Sequence, residues 1–291
     1  MKLLVIGGGG MLGHKLVQVL GENFDVRTTI RKTFDEYEKY DIFNPNKVIE
    51  NIDVENFGSV EKAIKKTKPD VIINAVGVIK QLPTANNVIK TLTVNAIFPH
   101  RLLVISEEIG ARLINISTDC VFSGKDGNYT ETDISDALDV YGKSKFLGET
   151  ISGNSLTIRT SIIGRELNTS HSLVEWFLSN QGKRIRGYTK AIFSGFPTVV
   201  LAAIIRDIIA NQPDLRGLYN VSSAPIDKYN LLKLLKQAYQ VNIEIEPFDD
   251  FVIDRSLDST GFREATGFKP LGWQEMIKEM AADNAPYQNT R

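Results

Sequence analysis

Four consecutive glycines constrain this chain more than any other stretch. Leu3-Leu4-Val5-Ile6 runs straight into Gly7-Gly8-Gly9-Gly10-Met11-Leu12-Gly13. A short all-apolar run suits a parallel strand covered on both faces. The glycines fit two spacings, G-x-x-G-x-x-G at 7, 10 and 13 and G-x-G-x-x-G at 8, 10 and 13. A merely flexible turn has no need of a strand before it and a helix after it, here Met11 to Leu20. A dinucleotide site needs both. The turn is tight, a pyrophosphate must approach bare backbone N–H groups, and the helix N-terminus adds partial positive charge. Gly7, Gly10, Met11, Leu12 and Gly13 are therefore candidate cofactor contacts.

The alternation of strand and helix continues. Strands are expected at Phe24 to Ile30, Val48 to Ile52, Pro69 to Ile73 and Leu113 to Ile116, with helices around Val60 to Lys66 and from Leu92 to Glu108. Five such alternations predict an α/β fold, a doubly wound parallel sheet of the Rossmann kind, with ligands beyond the strand C-termini. The end of the second strand reads Arg27-Thr28-Thr29-Ile30-Arg31-Lys32, with no acid for a ribose 2′-hydroxyl. Arg31, helped by Lys32 or Thr29, is read as the grip on a 2′-phosphate, so NADP(H) is favoured over NAD. The competing reading is a set of solvated surface cations. Asp53, followed by Val54, either meets the adenine amino group or caps the next helix. Ala75, Val76 and Gly77 are small enough to let a nicotinamide ribose lie close. Asn95 sits inside a helix despite poor propensity there, which predicts a packing or hydrogen-bonding role near the site.

The chemistry concentrates between Ala111 and Glu149. A buried strand ends in Ser117-Thr118-Asp119-Cys120, and a helix follows with Tyr141-Gly-Lys-Ser-Lys145. Residues i and i+4 share a helix face. A fixed ammonium at Lys145 would stabilise the Tyr141 phenolate and lower its pKa from about 10. Such a tyrosine exchanges a proton with an alcohol or carbonyl oxygen, which Ser117 or Thr118 would hold. The spacing alone is weak, because Tyr229-Asn-Leu-Leu-Lys233 repeats it inside an ordinary amphipathic run.

Beyond the central helix a strand is expected at Leu156 to Ile163, helical structure at Glu175 to Leu178, and a loop at Ala191 to Thr198 entering a helix at Val199 to Ala210. Gly217 to Val221 and Ile243 to Ile245 read as strands, Tyr229 to Tyr239 and Trp273 to Ala281 as helices. Residues 1–160 are assigned to the dinucleotide-binding domain, with later segments returning to it, and 161–291 mainly to a smaller α/β lobe that binds substrate. Arg255 is a candidate for a charged substrate there, against a plain surface role. The 291 residues carry net charge −1 with signs interspersed, which gives no reason to expect nucleic acid or an anionic membrane. No stretch approaches eighteen apolar residues, so no membrane span is expected. The first residues read as a strand rather than a signal peptide, and a lone Cys forms no internal disulfide, so a cytoplasmic protein is expected. Three scattered His and no Cys pairs give no metal site. The oligomeric state is left open, a homodimer being one option.

Gly7/Gly10/Gly13, Ser117-Thr118-Asp119 and Tyr141-x-x-x-Lys145 resemble the extended short-chain dehydrogenase/reductases. Ser117 to Gly124, Val140 to Glu149, Arg159-Thr-Ser161, Gly195-Phe-Pro-Thr198 and Arg255-Ser-Leu-Asp258 resemble, more narrowly, the dTDP-4-dehydrorhamnose reductase family. The resemblance spans nearly the whole chain. It implies hydride transfer from NADPH to the C4 ketone of a 6-deoxy nucleotide sugar. Tyr141 would be the proton donor, Lys145 would tune it and bind the ribose, and Thr118 would orient the carbonyl. Asp119, Cys120 and Ile162 would lie near the sugar. The family usually has Tyr at Cys120, Asp at Ser123 and Trp at Ile162. Those departures count against dTDP-4-dehydrorhamnose itself, and the chain also resembles the subgroup of capsule and surface-polysaccharide synthesis, which implies a UDP-linked N-acetyl sugar. A sugar-nucleotide epimerase or dehydratase on the same fold is the first alternative. A 4,6-dehydratase would carry Glu where this chain has Cys120. The second alternative is a non-catalytic NADP-binding regulatory subunit, which can drop the Tyr or Lys; both are present.

Overall fold

The computed structural model describes residues 1–80, 87–283, 285 and 287. In the first half the chain runs β1 (Lys2–Ile6), α1 (Gly13–Gly21), β2 (Asp25–Thr29), α2 (Asp35–Glu38), β3 (Val48–Ile49), α3 (Phe57–Thr67) and β4 (Val71–Asn74). Next come α4 (Val88–Leu92), a π turn (Thr93–Ile97), α5 (Phe98–Glu108), β5 (Arg112–Thr118) and α6 (Val140–Leu147). The second half contains β6 (Ser155–Thr160), β7 (Ile162–Ile163), α7 (Leu173–Leu178), β8 (Arg184–Phe193), β9 (Phe196–Pro197), α8 (Thr198–Asn211) and β10 (Gly217–Asn220). It ends with β11 (Ile226–Asp227), α9 (Lys228–Tyr239), β12 (Glu244–Asp254), α10 (Thr260–Thr266) and α11 (Trp273–Ala281).

Seven strands form one sheet in the order β10-β6-β5-β4-β1-β2-β3, and every neighbouring pair is parallel. Side chains alternate across a strand, and both faces are apolar. Leu3, Val5, Val71, Ile73 and Ile114 face one core with Leu16, Leu201 and Ile205. Leu4, Ile6, Ile72 and Leu113 face a second core with Val60, Ile64, Phe98 and Leu102. This two-sided burial explains the continuous apolar runs. Strand order reverses between β1 and β4, so their C-terminal ends open onto the crevice where such sheets bind ligands.

Several sequence expectations change. The helix expected from Leu92 begins at Val88, and Val88–Ile109 is 22 residues long and apolar enough to cross a membrane. Half of it is buried, and Phe98, Leu102, Leu103 and Ile105 pack on the sheet, so this is a core helix. The expected strand Leu156 to Ile163 breaks at Ser161. Phe196 N donates to Ser161 O at 2.8 Å, and the chain leaves the main sheet there to pair β7 with β9. The expected loop Ala191 to Thr198 is largely strand, because β8 is the middle of a three-stranded sheet β11-β8-β12. The expected strand Ile243 to Ile245 extends as β12 to Asp254. That edge strand is mostly exposed, so its acidic residues mask the alternation. Helix α10 was not anticipated.

Candidate functional site

The glycine turn is built by close packing. Gly7 has φ +93°, a left-handed conformation that favours glycine. Its N–H donates to Thr29 Oγ1 at 3.2 Å, and Gly8 N donates to Thr29 O at 2.9 Å. A Cβ on Gly13 would sit 2.0 Å from Gly7 O, and one on Gly7 would sit 2.6 Å from Val76 Cγ2. Gly10 differs, since a Cβ there would meet only Gly7 O, at 3.3 Å. Its outer face is open. Leu12 precedes α1 without a side-chain cap; Gly10 N and His14 N are satisfied within the turn, by Gly7 O at 3.0 Å and Gly10 O at 3.1 Å. Open glycine backbone and an uncapped helix start, with Met11 and Leu12 between them, fit a pyrophosphate.

Arg31 and Asp53 meet in an exposed ion pair at 3.3 Å. Asp53 Oδ1 also accepts Glu55 N at 3.0 Å. Asn56, not Asp53, is the residue before α3, so the helix-capping alternative for Asp53 fails. Thr29 is buried and spent on Gly7, which removes it as a helper for Arg31. Lys32 is paired with Glu36. Val54 packs against the second core.

The segment after β4 is pinned from two sides. Ala75 N donates to Ile6 O at 3.0 Å. The Asn95 side chain accepts from Val78 N at 2.8 Å and donates to Val78 O at 3.0 Å and to Ser144 Oγ at 3.2 Å. Asn95 lies in the π turn, where the helix widens locally. It links the Ala75-Val76-Gly77 segment to α6, the hydrogen-bonding role expected of it.

Helix α6 is seated by two glycines. A Cβ on Gly142 would lie 2.2 Å from Cys120 O, and one on Gly148 would lie 1.9 Å from Asn95 O. Asp139 caps the helix by accepting Gly142 N at 2.8 Å. Strand alternation separates the two hydroxyls that end β5. Ser117 Oγ donates to Glu149 Oε1 at 2.7 Å, within the buried pair Glu149–Arg159, so it supports the structure. Thr118 Oγ1 accepts Cys120 N at 3.1 Å and donates to Asp119 Oδ1 at 3.1 Å. It also interacts with the Tyr141 hydroxyl. Thr118 is thus the hydroxyl that faces Tyr141.

The expected lowering of the Tyr141 pKa is reversed. Burial pushes the phenol well above its ordinary range, the Cys120 thiol and the Asp119 and Asp139 carboxylates push the same way, and only Thr118 opposes them. Lys145 is directed elsewhere. Its buried ammonium donates to Ile116 O at 2.6 Å, and desolvation lowers it to about 8 against the pull of Glu149. Burial also raises Asp119, and it raises the Cys120 thiol to about 12, so Cys120 is no thiolate. Arg255 Nε donates to Phe122 O at 2.9 Å, and its charge acts on Asp119 and Cys120; a plain surface role is excluded. Ile162 is half-buried, pairs with Phe196 across β7–β9 and packs against the main core.

One site residue escaped the sequence reading. Lys228 opens α9, directly before the second Tyr-x-x-x-Lys copy, and its charge faces Asp119 and Cys120. The signal was available: the helix macrodipole disfavours a cation in the first turn, so a lysine there needs a reason.

The match to the family described as "RmlD substrate binding domain" covers residues 1–285. The dTDP-4-dehydrorhamnose reductase of Aggregatibacter actinomycetemcomitans is 28% identical over 97% of this chain and 98% of that protein. The spore coat polysaccharide biosynthesis protein SpsK of Bacillus subtilis (strain 168) is 28% identical over 96% of each chain. The structure of dTDP-4-dehydrorhamnose reductase from Bacillus anthracis str. Ames in complex with NADP superposes with TM-score 0.78 at 22% identity, covering 96% of this chain and 98% of that one. With its glycine turn and a match along almost its full length, the chain belongs to the RmlD substrate binding domain family.

Proposed function

We propose that this protein is an NADPH-dependent reductase of a nucleotide-linked 4-keto-6-deoxy sugar, working in the cytoplasm in surface-polysaccharide precursor synthesis. The observation that supports this reading is that Thr118, at the end of β5, interacts with Tyr141, with Lys145 on the same helix and bonded to Ile116 O, in a chain of this family. NADPH, when bound, supplies the hydride. Gly7, Gly10, Met11, Leu12 and Gly13 hold the pyrophosphate, Arg31 meets the 2′-phosphate, and Asp53 with Val54 borders the adenine. Ala75, Val76 and Gly77 border the nicotinamide ribose.

Reduction of a ketone needs a proton at the oxygen as well as a hydride at the carbon. Thr118 holds the C4 oxygen and Tyr141 delivers its phenolic proton there. The buried Tyr141 phenol is protonated at neutral pH, the form that a proton donor starts from. Lys145 holds the nicotinamide ribose. Asp119 and Cys120 line the sugar side from the end of β5, and Ile162 and Arg255 line it from the lobe built mainly from residues 161–291. The test is loss of NADPH absorbance with a dTDP-linked 4-keto-6-deoxy sugar and with a UDP-linked N-acetyl counterpart. Turnover is expected with one of them, and the preferred one identifies the nucleotide class. Tyr141→Phe should keep NADPH affinity and lose roughly 10²–10⁴-fold in turnover. Near-normal turnover in that variant would remove Tyr141 as the proton donor.

A further inference from the structure

The strand-end turn Thr118-Asp119-Cys120 is faced by two cations from the second half of the chain. Arg255 reaches it from the segment after β12, and Lys228 from the first position of α9. The placement of Lys228 follows from the small sheet. Antiparallel pairing sets Ile226 opposite Phe193 and Asp227 opposite Ile192. Asp227 then caps α9 by accepting Asn230 N at 2.8 Å. The next residue, Lys228, is laid over the Phe193 ring, with Nζ 3.9 Å from the ring centroid. An aromatic face stabilises an ammonium without neutralising it. Among the described residues no carboxylate lies within ion-pair distance of Lys228 or of Arg255, and none of the ion pairs includes Asp119.

The charges do not balance. Lys228 and Arg255 face Asp119, whose carboxylate burial raises toward its neutral form; Arg255 also acts on Asp139, which already pairs with Lys80 at 2.7 Å. Desolvation also lowers Lys228 to about 8, with Asp119 and Cys120 pulling it back up. A cation at a helix N-terminus opposes the macrodipole. Local rules broken without a structural partner point to a functional site. An incoming anion would supply what the fold leaves out.

Building on the reductase reading above, we propose that Lys228, with Arg255 beside it, binds the diphosphate of the nucleotide-sugar substrate. The sugar ring sets the spacing. C4 must meet Thr118 and Tyr141, while the diphosphate hangs from C1 across the ring. It therefore lies toward the Asp119-Cys120 side of the turn, which these two cations face. Phe193 acts as the platform that holds the ammonium. The site recognises phosphoryl oxygens and is indifferent to the base, so it serves dTDP-linked and UDP-linked sugars alike.

Calorimetric binding of UDP and dTDP, with uridine and thymidine as phosphate-free probes and NADP⁺ at saturation, tests this on the wild type, Lys228→Ala and Lys228→Arg. In Lys228→Ala both diphosphates should weaken roughly ten- to a hundredfold, the loss of one charge-assisted hydrogen bond. The nucleosides and NADP⁺ should bind as before, and Lys228→Arg should restore most of the diphosphate affinity. Unchanged diphosphate binding in Lys228→Ala overturns the assignment while the reductase reading stands. An equal loss for nucleoside and diphosphate also overturns it, since it would mean a misplaced α9. If the wild type binds neither diphosphate, the nucleotide-linked substrate falls as well.

Discussion

Lys145 shows how burial can reverse a local expectation. It lies four positions after Tyr141, and helix geometry sets the two on one face. Yet its ammonium is taken by Ile116 O, and the phenol answers to burial and its acidic neighbours. The consequence is measurable as a pH dependence of stability. The folded Lys145 titrates near 8 and the unfolded one near its ordinary 10.5. Between those values the unfolded chain holds a proton that the folded chain has released. Stability contributed by this group therefore rises with pH across the window, and the buried charge costs stability below it. Lys145→Met removes the effect. From about pH 7 to about pH 10 the unfolding free energy of the wild type should gain roughly 2–3 kcal/mol on that variant. Denaturant unfolding at several pH values checks this, and a flat difference would mean that Lys145 is solvated. Thr118, Tyr141 and Lys145 could be picked out as candidates in the sequence. The proton energetics could not, because desolvation depends on what the rest of the chain places over them.

Helix α6 owes its position to absent side chains. Gly142 lets it touch the Cys120 carbonyl, and Gly148 lets it touch the Asn95 carbonyl in the π turn. Both contacts are backbone to side-chain-free backbone, so neither can relax by a rotamer change. Gly148→Ala should therefore push α6 off the π turn. The expected cost is about 1–3 kcal/mol in stability, with a fall in turnover as Tyr141 and Lys145 move. Gly58 is the control. It lies in α3, where a Cβ would meet only Asn56 Oδ1, at 3.5 Å, so Gly58→Ala should be neutral or stabilising. Equal effects at both positions, by thermal unfolding and by rate, would refute the close-contact account. Asn95 was visible in the sequence as a misfit inside a helix, and the misfit marked a real junction. The glycines of α6 gave no such sign, because their partners are distant in sequence.

Across the whole chain, two networks join distant segments behind the site. Glu149 and Arg159 form a buried bidentate pair with both bonds at 2.8 Å, and Ser117 adds a third donor. The pair ties β5, the end of α6 and β6 together, and Arg159 lies over the Phe122 ring, which stacks on Tyr129. Glu149→Gln leaves a buried guanidinium uncompensated and should cost about 3–5 kcal/mol. Urea unfolding would show it, and a loss below about 1 kcal/mol would place the pair in water. The second network anchors the C-terminal segment beside the glycine turn. His14 Nδ1 meets Gly10 O at 2.9 Å and Nε2 lies 3.0 Å from the Tyr287 hydroxyl, while Lys15 pairs with Asp283. Burial lowers His14 to about 3, so it stays neutral there. The parallel sheet, the dinucleotide turn and the Tyr141/Lys145 spacing were local matters. Apolar runs, glycine spacing and i,i+4 geometry act over a few residues and can be read in order. The break at Ser161, the length of β8 and β12, the engagement of Ser117 with Glu149 and the position of Lys228 were settled by long-range pairing. Each depends on which distant strand or helix supplies a partner, and that information is carried by the packed fold as a whole.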